Sequence, residues 1–353
     1  MSRISAMTGR GNYAYACARV KAKRAMLIPK EAYPRLLAMD VSGIMRFIGE
    51  SQYSQETQEL GIKYTGAETI ELVLGKNLAK AHHGVLGFCK GELKELVSAY
   101  MRWWDVRNIK TVLRGKRYNA IPEDILKAIV PAGEYDEKYW AGIVRGSSTI
   151  EDVIENLKGT EYYGALVKTR EKLGGDLSRY ENGLEMEYYR RILDSIKPAT
   201  NAKRTFIDFM RDEIDLVNFR TLFMTKFDGV EPKKIIGMLI PGGKMGKEDL
   251  HALANTDGFG QFMELLRNTA AYPAIKDEIS QVESAGLNGV IRALEKAHAA
   301  AVERMSRLHP LSVLPVMNYI TRKEAEIENL RIIVRGKASG LDTERIRELI
   351  MVM

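Results

Sequence analysis

The sequence predicts an all-α protein, and three observations carry that prediction. Apolar residues recur at helical spacing along most of the chain, for example at Leu93, Leu96 and Met101. No Asn-Gly or Asp-Gly turn lies between alternating apolar runs, which would indicate a β-hairpin. Pro and Gly fall between the helical stretches, as in Pro131-Ala132-Gly133 and Pro241-Gly242-Gly243, where they act as breaks.

The composition is that of an ordinary globular protein with 353 residues, 45% of them hydrophobic and 28% charged. The apolar runs, such as Ile235 to Pro241, are far shorter than the roughly 20 residues of a membrane-spanning helix. Residues 1–11 lack the apolar core of a signal peptide and are expected to lead loosely into a helix beginning near Asn12. Cys17 and Cys89 form no CxxC, zinc or disulfide pattern, so we expect two buried or half-buried thiols in a reducing cytoplasm.

The net charge of +7 and the pI near 9.1 favour an acidic partner, an anionic membrane surface or nucleic acid. The signal is mild, because basic and acidic residues alternate in stretches such as Lys90 to Glu95. Trp103 and Trp104 lie among basic residues, a mixture that binds phosphate and stacked bases. They also precede a buried helical stripe, so at least one of them is expected in the core. A basic helical-repeat protein that binds nucleic acid is therefore the alternative hypothesis.

An internal repeat with a period near 110 residues is the main signal. Its copies are Asp105–Lys116, Asp215–Lys226 and Glu326–Lys337, aligned without gaps. Each copy contains an acid, an asparagine, a basic residue and a terminal lysine in the same register. The first three of these positions are Asp105, Asn108 and Lys110; Asp215, Asn218 and Arg220; and Glu326, Asn329 and Arg331. The sequence therefore predicts one helical unit repeated three times.

Each unit is predicted to be a long helix, a short turn, a capped helix of about ten residues and another short helix. Pro122 suits a first helical turn, and Asp342 and Thr343 are residues typical of an N-cap. Pro315, inside an apolar run, should start a helix or kink one. The predicted domains are residues 1–118, 119–228 and 229–353.

The two ends of the sequence are expected to complete one unit together. Arg19 to Lys23, followed by Ile28 to Tyr33, is a partial fourth copy, whereas the third copy stops in the middle of a unit at the C-terminus. We therefore expect the N-terminal helix to pack with the C-terminus. That contact would close three repeats into a compact pseudo-threefold body rather than an open solenoid.

Two interpretations of the repeated polar residues stay open. The apolar positions, such as Val106, Ile109 and Leu113, share one buried face, so the asparagines and basic residues lie toward its borders. The asparagines either satisfy neighbouring backbone where helices cross or help to present a basic rim to a partner. The candidate partner-interface residues, chosen by charge, are Arg114, Lys116, Lys226, Arg335 and Lys337. Met224 and Thr225 replace the Arg-Gly of the other copies, so the equivalence is imperfect.

The sequence indicates no catalytic site, metal site or cofactor. Pro241 to Lys247 looks suited to phosphate, but Glu248 follows where a P-loop has a hydroxyl. His82 and His83 are adjacent and cannot share a helix face, and no carboxylate completes a metal site. Glu151-Asp152 is predicted at a helix start, where the macrodipole favours acids. An enzyme with an unrecognised site is the third alternative.

Three segments resemble one known family. His309 to Ile333 resembles the C-terminal motif of the C subunits of archaeal A-type ATP synthases, a family similar to the d subunits of eukaryotic V-type ATPases. Tyr13 to Ala22 resembles the opening helix of that family, and Trp104 to Lys110 its first repeat helix. The likeness extends over the whole chain, and the threefold repeat at this length makes it specific.

The resemblance implies three similar helical domains that form a funnel on the cytoplasmic face of the membrane. The funnel would sit on the rotor ring of membrane subunits and receive the tip of the central shaft. One copy per complex would thus pass torque between ion flow and the head that handles ATP. It implies no cofactor, no nucleic acid and only indirect membrane contact through the ring. The coupling ion, proton or sodium, is a property of the ring subunits.

Overall fold

The computed structural model of the protein describes residues 11–173, 176–279, 282 and 286–351. All regular structure in these ranges is helical, without a strand, so the all-α prediction is confirmed. The chain forms two compact units. The first contains the described residues up to Tyr188 and those from Pro310 onward, and the second contains Tyr189–His309. Within the described part of the chain, no helix is both long and apolar enough to cross a membrane.

The first unit combines helices from both ends of the sequence. Its helices are α1 (Tyr13–Arg24), α2 (Tyr33–Ala38), α3 (Val41–Gly49), α4 (Ser54–Gly61), α5 (Gly66–Phe88), α6 (Gly91–Met101), α7 (Trp103–Arg117), α8 (Pro122–Ala128), α9 (Glu137–Arg145), α10 (Ile150–Asn156) and α11 (Tyr163–Leu173). The helix α12 (Leu177–Ser195) contains the boundary between the units. The second unit continues with α13 (Asn201–Phe227), α14 (Pro232–Met238), α15 (Lys247–Ala254), α16 (Gly258–Leu266), α17 (Tyr272–Ile279) and α18 (Asn288–Leu308). The chain then returns to the first unit with α19 (Leu314–Ala338) and α20 (Thr343–Leu349).

Several helix starts follow from local sequence. Asn12 is the N-cap residue of α1, close to the predicted start, and residues 1–10 lie outside the described part of the chain. Pro122 and Pro315 occupy the first turns of α8 and α19, so Pro315 starts a helix as predicted. Thr149 and Asp152 form a capping box at the start of α10, which places the predicted acids in a first turn.

The core of the first unit joins the two ends of the chain. The helix α19 packs against both α5 and α1. Leu74 and Leu78 of α5 lie in one apolar cluster with Leu330 and Ile333 of α19, all with no exposed surface. Burying each such side chain stabilises the fold by about 1.5–3 kcal/mol. Trp104 is 3% exposed and belongs to the same cluster, which confirms that at least one of the paired tryptophans is in the core.

The core of the second unit is built around α13. Phe223 of α13 meets Phe262 of α16 edge to face, with ring centroids 5.2 Å apart. Ile235 of α14 and Val290 of α18 are fully buried in the same cluster. The helix α18 packs against α13 and α17. These contacts hold the second repeat helix against the short helices that follow it.

Candidate functional site

The three repeat asparagines make the same pair of hydrogen bonds. The side-chain amide of Asn108 donates to the carbonyl of Val130 at 2.7 Å and accepts from the N–H of Val130 at 3.0 Å. The other pairs, at donor–acceptor distances of 2.6–2.8 Å, are Asn218 with Ile240 and Asn329 with Met351. The bonded residue lies 22 positions downstream each time, and none of these three asparagines is more than 3% exposed. The repeated amides therefore satisfy buried backbone.

This pairing also explains why the helix after each repeat motif is shorter than predicted. The helices α8, α14 and α20 each have seven residues instead of about ten. Each is followed by an extended residue with ψ between 133° and 145°: Ile129, Leu239 and Ile350. The next residue gives both backbone groups to the asparagine, so those groups cannot continue the helical ladder.

The first two repeat acids bind backbone N–H groups. Asp105 accepts from the N–H groups of Glu134 and Tyr135 at 2.8 and 3.3 Å. Asp215 accepts in the same way from residues 244 and 245, at 2.9 and 3.2 Å. A Cβ on Gly133 would collide with the Asp105 carboxylate, and one on Gly243 would collide with Asp215. The glycines in the predicted breaks therefore allow the backbone to approach the acids.

Burial opposes the ionisation of these acids. It raises the pKa of Asp105 to about 7, although the two backbone N–H groups pull that pKa downward. Burial likewise raises the pKa of Asp215. Asp105 is fully buried, and its bonds to backbone hold the loop before α9 against α7.

The third repeat acid binds the other end of the chain. Glu326 accepts hydrogen bonds from the backbone N–H of Ile28, the amide of Gln52 and the hydroxyl of Tyr53. Lys323 donates to Glu326 at 2.9 Å and to Tyr53 at 2.8 Å, and has no exposed surface. Burial lowers the pKa of Lys323, and the adjacent Glu326 opposes that effect. Tyr53 is also buried, and its pKa is raised well above the usual value.

The repeat bases form ion pairs with a second long helix. Lys110 binds Glu185 of α12 at 2.5 Å, and Arg220 binds Glu295 of α18. Both glutamates lie 75 positions after their basic partners. The third base, Arg331, is 9% exposed and pairs with Glu71 of α5 at 3.3 Å. The repeat bases thus link each motif helix to a neighbouring helix.

Two candidate interface arginines also form ion pairs inside the chain. Arg114 makes a two-pronged pair with Glu181 at 2.5 Å, and Arg335 makes one with Glu71 at 2.6 and 2.9 Å. Their side chains remain 55% and 63% exposed. In the second copy, Met224 replaces the arginine. Its partner is replaced as well: Ile291, four residues before Glu295, occupies the position that Glu181 occupies before Glu185. Both members of the pair are thus replaced together.

The three candidate interface lysines donate to groups inside the chain. Lys116 binds the carbonyl of Val144 at 2.7 Å, beside the end of α9. Lys226, 6% exposed, binds the carbonyl of Thr256 at 2.7 Å, after α15. Lys337 donates to the hydroxyl of Thr343 at 2.9 Å. These bonds terminate or anchor short helices. A partner-facing role for the five candidate residues stays a prediction.

A further repeated feature was missed by the sequence analysis. The second residue after each motif helix, in the same register, has a positive φ: 54° at Asn119, 66° at Gly229 and 70° at Gly340. The N–H of the following residue binds the carbonyl five positions earlier, at 2.8–2.9 Å. This is the left-handed helix end that favours glycine and asparagine. Glycine at the same place in two copies is the signal that could have revealed it.

His82 and the two cysteines are buried in forms suited to packing. Burial lowers the pKa of His82 to about 3, so its imidazole is neutral. Cys17 and Cys89 are both buried, as predicted, and burial raises the pKa of Cys89 to about 12. Among the described residues, no group of three or more His, Cys, Asp or Glu side chains could hold a metal ion.

Comparisons with known proteins agree over nearly the whole chain. The sequence model of the family described as ATP synthase (C/AC39) subunit matches residues 16–349. The C subunit of the A-type ATP synthase of Methanosarcina acetivorans is 38% identical over 348 residues, covering 98% of this chain and 94% of that protein. The corresponding protein of Archaeoglobus fulgidus is 33% identical, covering 98% and 97%. That of Haloferax volcanii is 31% identical, covering 98% and 99%.

Proposed function

The chain belongs to the family of ATP synthase (C/AC39) subunits, and from this we propose that it is the non-catalytic central-stalk subunit of a rotary A/V-type ATP synthase. In this role it joins the central shaft to the membrane rotor ring and transmits torque between them. ATP is handled by the head of the complex. The proposal places one copy per complex, peripherally, on the cytoplasmic side of the membrane.

The observation that carries the proposal is the recurrence of the same buried bonds in all three motif copies. A part that passes torque must resist bending, because any deformation would store energy that should reach the other end. The paired bonds of Asn108, Asn218 and Asn329 fix where each motif helix crosses the following segment. Fully satisfied buried polar groups stiffen a fold and specify a single arrangement. These features support a mechanical role.

We further propose that the three repeats close into a pseudo-threefold, funnel-like body. The bond between Glu326 and Ile28 supports closure, because it completes the third motif with the N-terminal segment. The domain bounds 1–118, 119–228 and 229–353 remain part of this proposal. A wide funnel would accept the tip of the shaft at one end and rest on the ring at the other.

Measurements on membranes that contain the ATP synthase but lack this chain will test the role. We expect ATP hydrolysis by the head to persist, while ATP-driven ion uptake into vesicles is lost. Adding the purified chain back should restore ion uptake and recover one copy per complex on purification. The matched control is membranes depleted and mock-treated without the chain.

Two results would reject the proposal. One is ion uptake that stays coupled to hydrolysis without the chain. The other is purification of the chain with nucleic acid and without ATP synthase subunits, which would favour the nucleic-acid hypothesis.

A further inference from the structure

The net positive charge of the protein arises from its first 30 residues. Seven of the 53 basic residues precede the first acidic residue, Glu31, and the remaining 46 basic residues equal the 46 acidic ones. The interleaving of charges therefore holds only beyond this point. The net charge of +7 belongs to one short segment, and most of that segment is α1 and its flanks.

The helix α1 exposes its basic side. Its buried face, formed by Ala16, Cys17 and Val20, lies toward α19, where the Cys17 sulfur is 3.5 Å from the carbonyl of Ser312. The exposed positions include Arg19 and Lys21 together with small alanines at 14, 18 and 22. The helix has four basic residues and no acidic one. Its outer face is thus accessible and strongly cationic.

Lys23 is the clearest sign of missing negative charge. Its ammonium lies close to Gly84 of α5. If that glycine carried a Cβ atom, the atom would be 3.7 Å from the Lys23 nitrogen. Arg19 and Lys23 are four residues apart on one helix, where like charges repel. Burial, Arg19 and Lys80 all lower the pKa of Lys23. A neighbouring anion would relieve this repulsion.

The described part of the chain does not supply that anion. Glu56, the carboxylate that pairs with Lys80 at 2.8 Å, also accepts a hydrogen bond from Asn77 at 2.9 Å and is therefore already engaged. No ion pair joins Lys23 or Arg19 to any carboxylate of the described residues. Residues 1–10 contain two arginines and no acid, so their side chains cannot neutralise the face.

We propose that the outer face of α1, centred on Arg19 and Lys23, is the docking surface for a carboxylate-rich segment of another subunit of the complex. This inference rests on the proposed function, because the partner belongs to the ATP synthase. A protein segment fits better than a lipid surface. Helices that lie in membranes bury rows of large apolar side chains, whereas α1 exposes alanines between its basic residues and a single large side chain, Tyr15. Small side chains let a partner segment approach closely.

The test is zero-length carbodiimide coupling of the purified, assembled ATP synthase. The reagent joins a lysine to a carboxylate only where the two are in contact, and mass spectrometry identifies both residues. We expect Lys21 or Lys23 to be joined to an aspartate or glutamate of another subunit. The double variant R19E/K23E should weaken rebinding to depleted membranes at least tenfold. The control K158E/K233E changes the charge equally at two exposed lysines and should bind within twofold of the parent.

The outcomes separate this inference from the proposed function. If the complex assembles and couples hydrolysis to transport, but Lys21 and Lys23 are joined to no other subunit, only the docking surface is rejected. Equal loss of rebinding in both double variants also rejects it. If phosphatidylglycerol vesicles shield Lys21 and Lys23 from an acetylating reagent, and no carbodiimide crosslink to another subunit forms, the face is assigned to the membrane and the proposal is overturned. Failure of the chain to purify with the ATP synthase overturns both.

Discussion

The carboxylate of Glu326 accepts a hydrogen bond from the backbone N–H of Ile28, 298 positions earlier in the chain. In the first two copies, the acid binds N–H groups 29 and 30 positions downstream. For Glu326, the N–H comes from the N-terminal segment instead. A bond between residues distant in the sequence thus takes the place of a local one.

Removing the Glu326 carboxylate should be strongly destabilising. In Glu326→Ala, the fully buried ammonium of Lys323 loses the carboxylate 2.9 Å away that opposes the effect of burial on its pKa. We expect the free energy of unfolding to fall by about 3–5 kcal/mol, as measured by urea denaturation. The double variant K323M/E326A removes both charges and should recover part of the loss. Equal stability of the single and double variants would contradict a buried ion pair at this position.

Each repeat asparagine should contribute to stability through its two backbone bonds. Asn108→Ala leaves the N–H of Val130 buried without a partner, whereas the carbonyl of Val130 keeps its bond from the N–H of Ala132 at 2.8 Å. An unsatisfied buried group costs about 1–3 kcal/mol, so we expect the free energy of unfolding to fall by about that amount. Asn268 is exposed, and N268A should change stability by less than about 0.5 kcal/mol. A loss in N108A no larger than that in N268A would refute this role.

Replacing glycine by alanine should lower stability in the turns after the motif helices but raise it at an ordinary helix position. Gly229→Ala and Gly340→Ala force alanine into a positive φ, which costs about 1–2 kcal/mol. Asn119→Gly should cause no loss, since glycine suits the φ of 54°. Gly87 lies in α5 with open space around it, so G87A should stabilise by up to about 1 kcal/mol. Thermal and urea unfolding of the four variants will test this contrast, which fails if G229A and G87A shift stability in the same direction.

The fold class and the helix starts could be predicted because their signals are local. Apolar spacing specifies a helix, and Pro315 can only begin or bend one. The short length of α8 could not be read from its own sequence, since Asn108, 22 positions before Val130, competes for the backbone that would extend it.

The ion pairs of the motif could not be predicted from local sequence patterns. Lys110 looks like a free basic residue in sequence, but Glu185 pairs with it from 75 positions away. Charge alone likewise marked Lys226 as a surface residue, although folding buries it against the carbonyl of Thr256. The recurrence of a glutamate at the same distance from Arg220 is the one sequence signal for these pairs. It becomes visible only after the repeat has been aligned.

The pair of His298 and Glu213 should make the stability of the second unit depend on pH. The two side chains, 14% and 18% exposed, bring the imidazole Nε2 of α18 within 2.7 Å of a carboxylate oxygen of α13. Burial lowers the pKa of His298, but Glu213, helped by Asp212 and opposed by Lys244, raises it above its usual value overall. The folded state therefore holds the proton more tightly than the unfolded state. The resulting stabilisation is fully present below the unfolded pKa of about 6.5 and is lost as pH rises through the folded pKa.

Glu213→Gln tests this dependence, because it removes the charge and keeps the shape. A hydrogen bond to a charged group contributes about 1.5–3 kcal/mol, so E213Q should unfold more easily than the parent by about that amount at pH 5.5. The difference should shrink as pH rises toward 9, where the parent imidazole is neutral. Urea unfolding across this range gives both curves. The control D208N alters an exposed carboxylate on the same helix and should run parallel to the parent. A constant gap between E213Q and the parent from pH 5.5 to 9 would mean that His298 does not titrate in the fold, and that the contact stabilises as a neutral hydrogen bond.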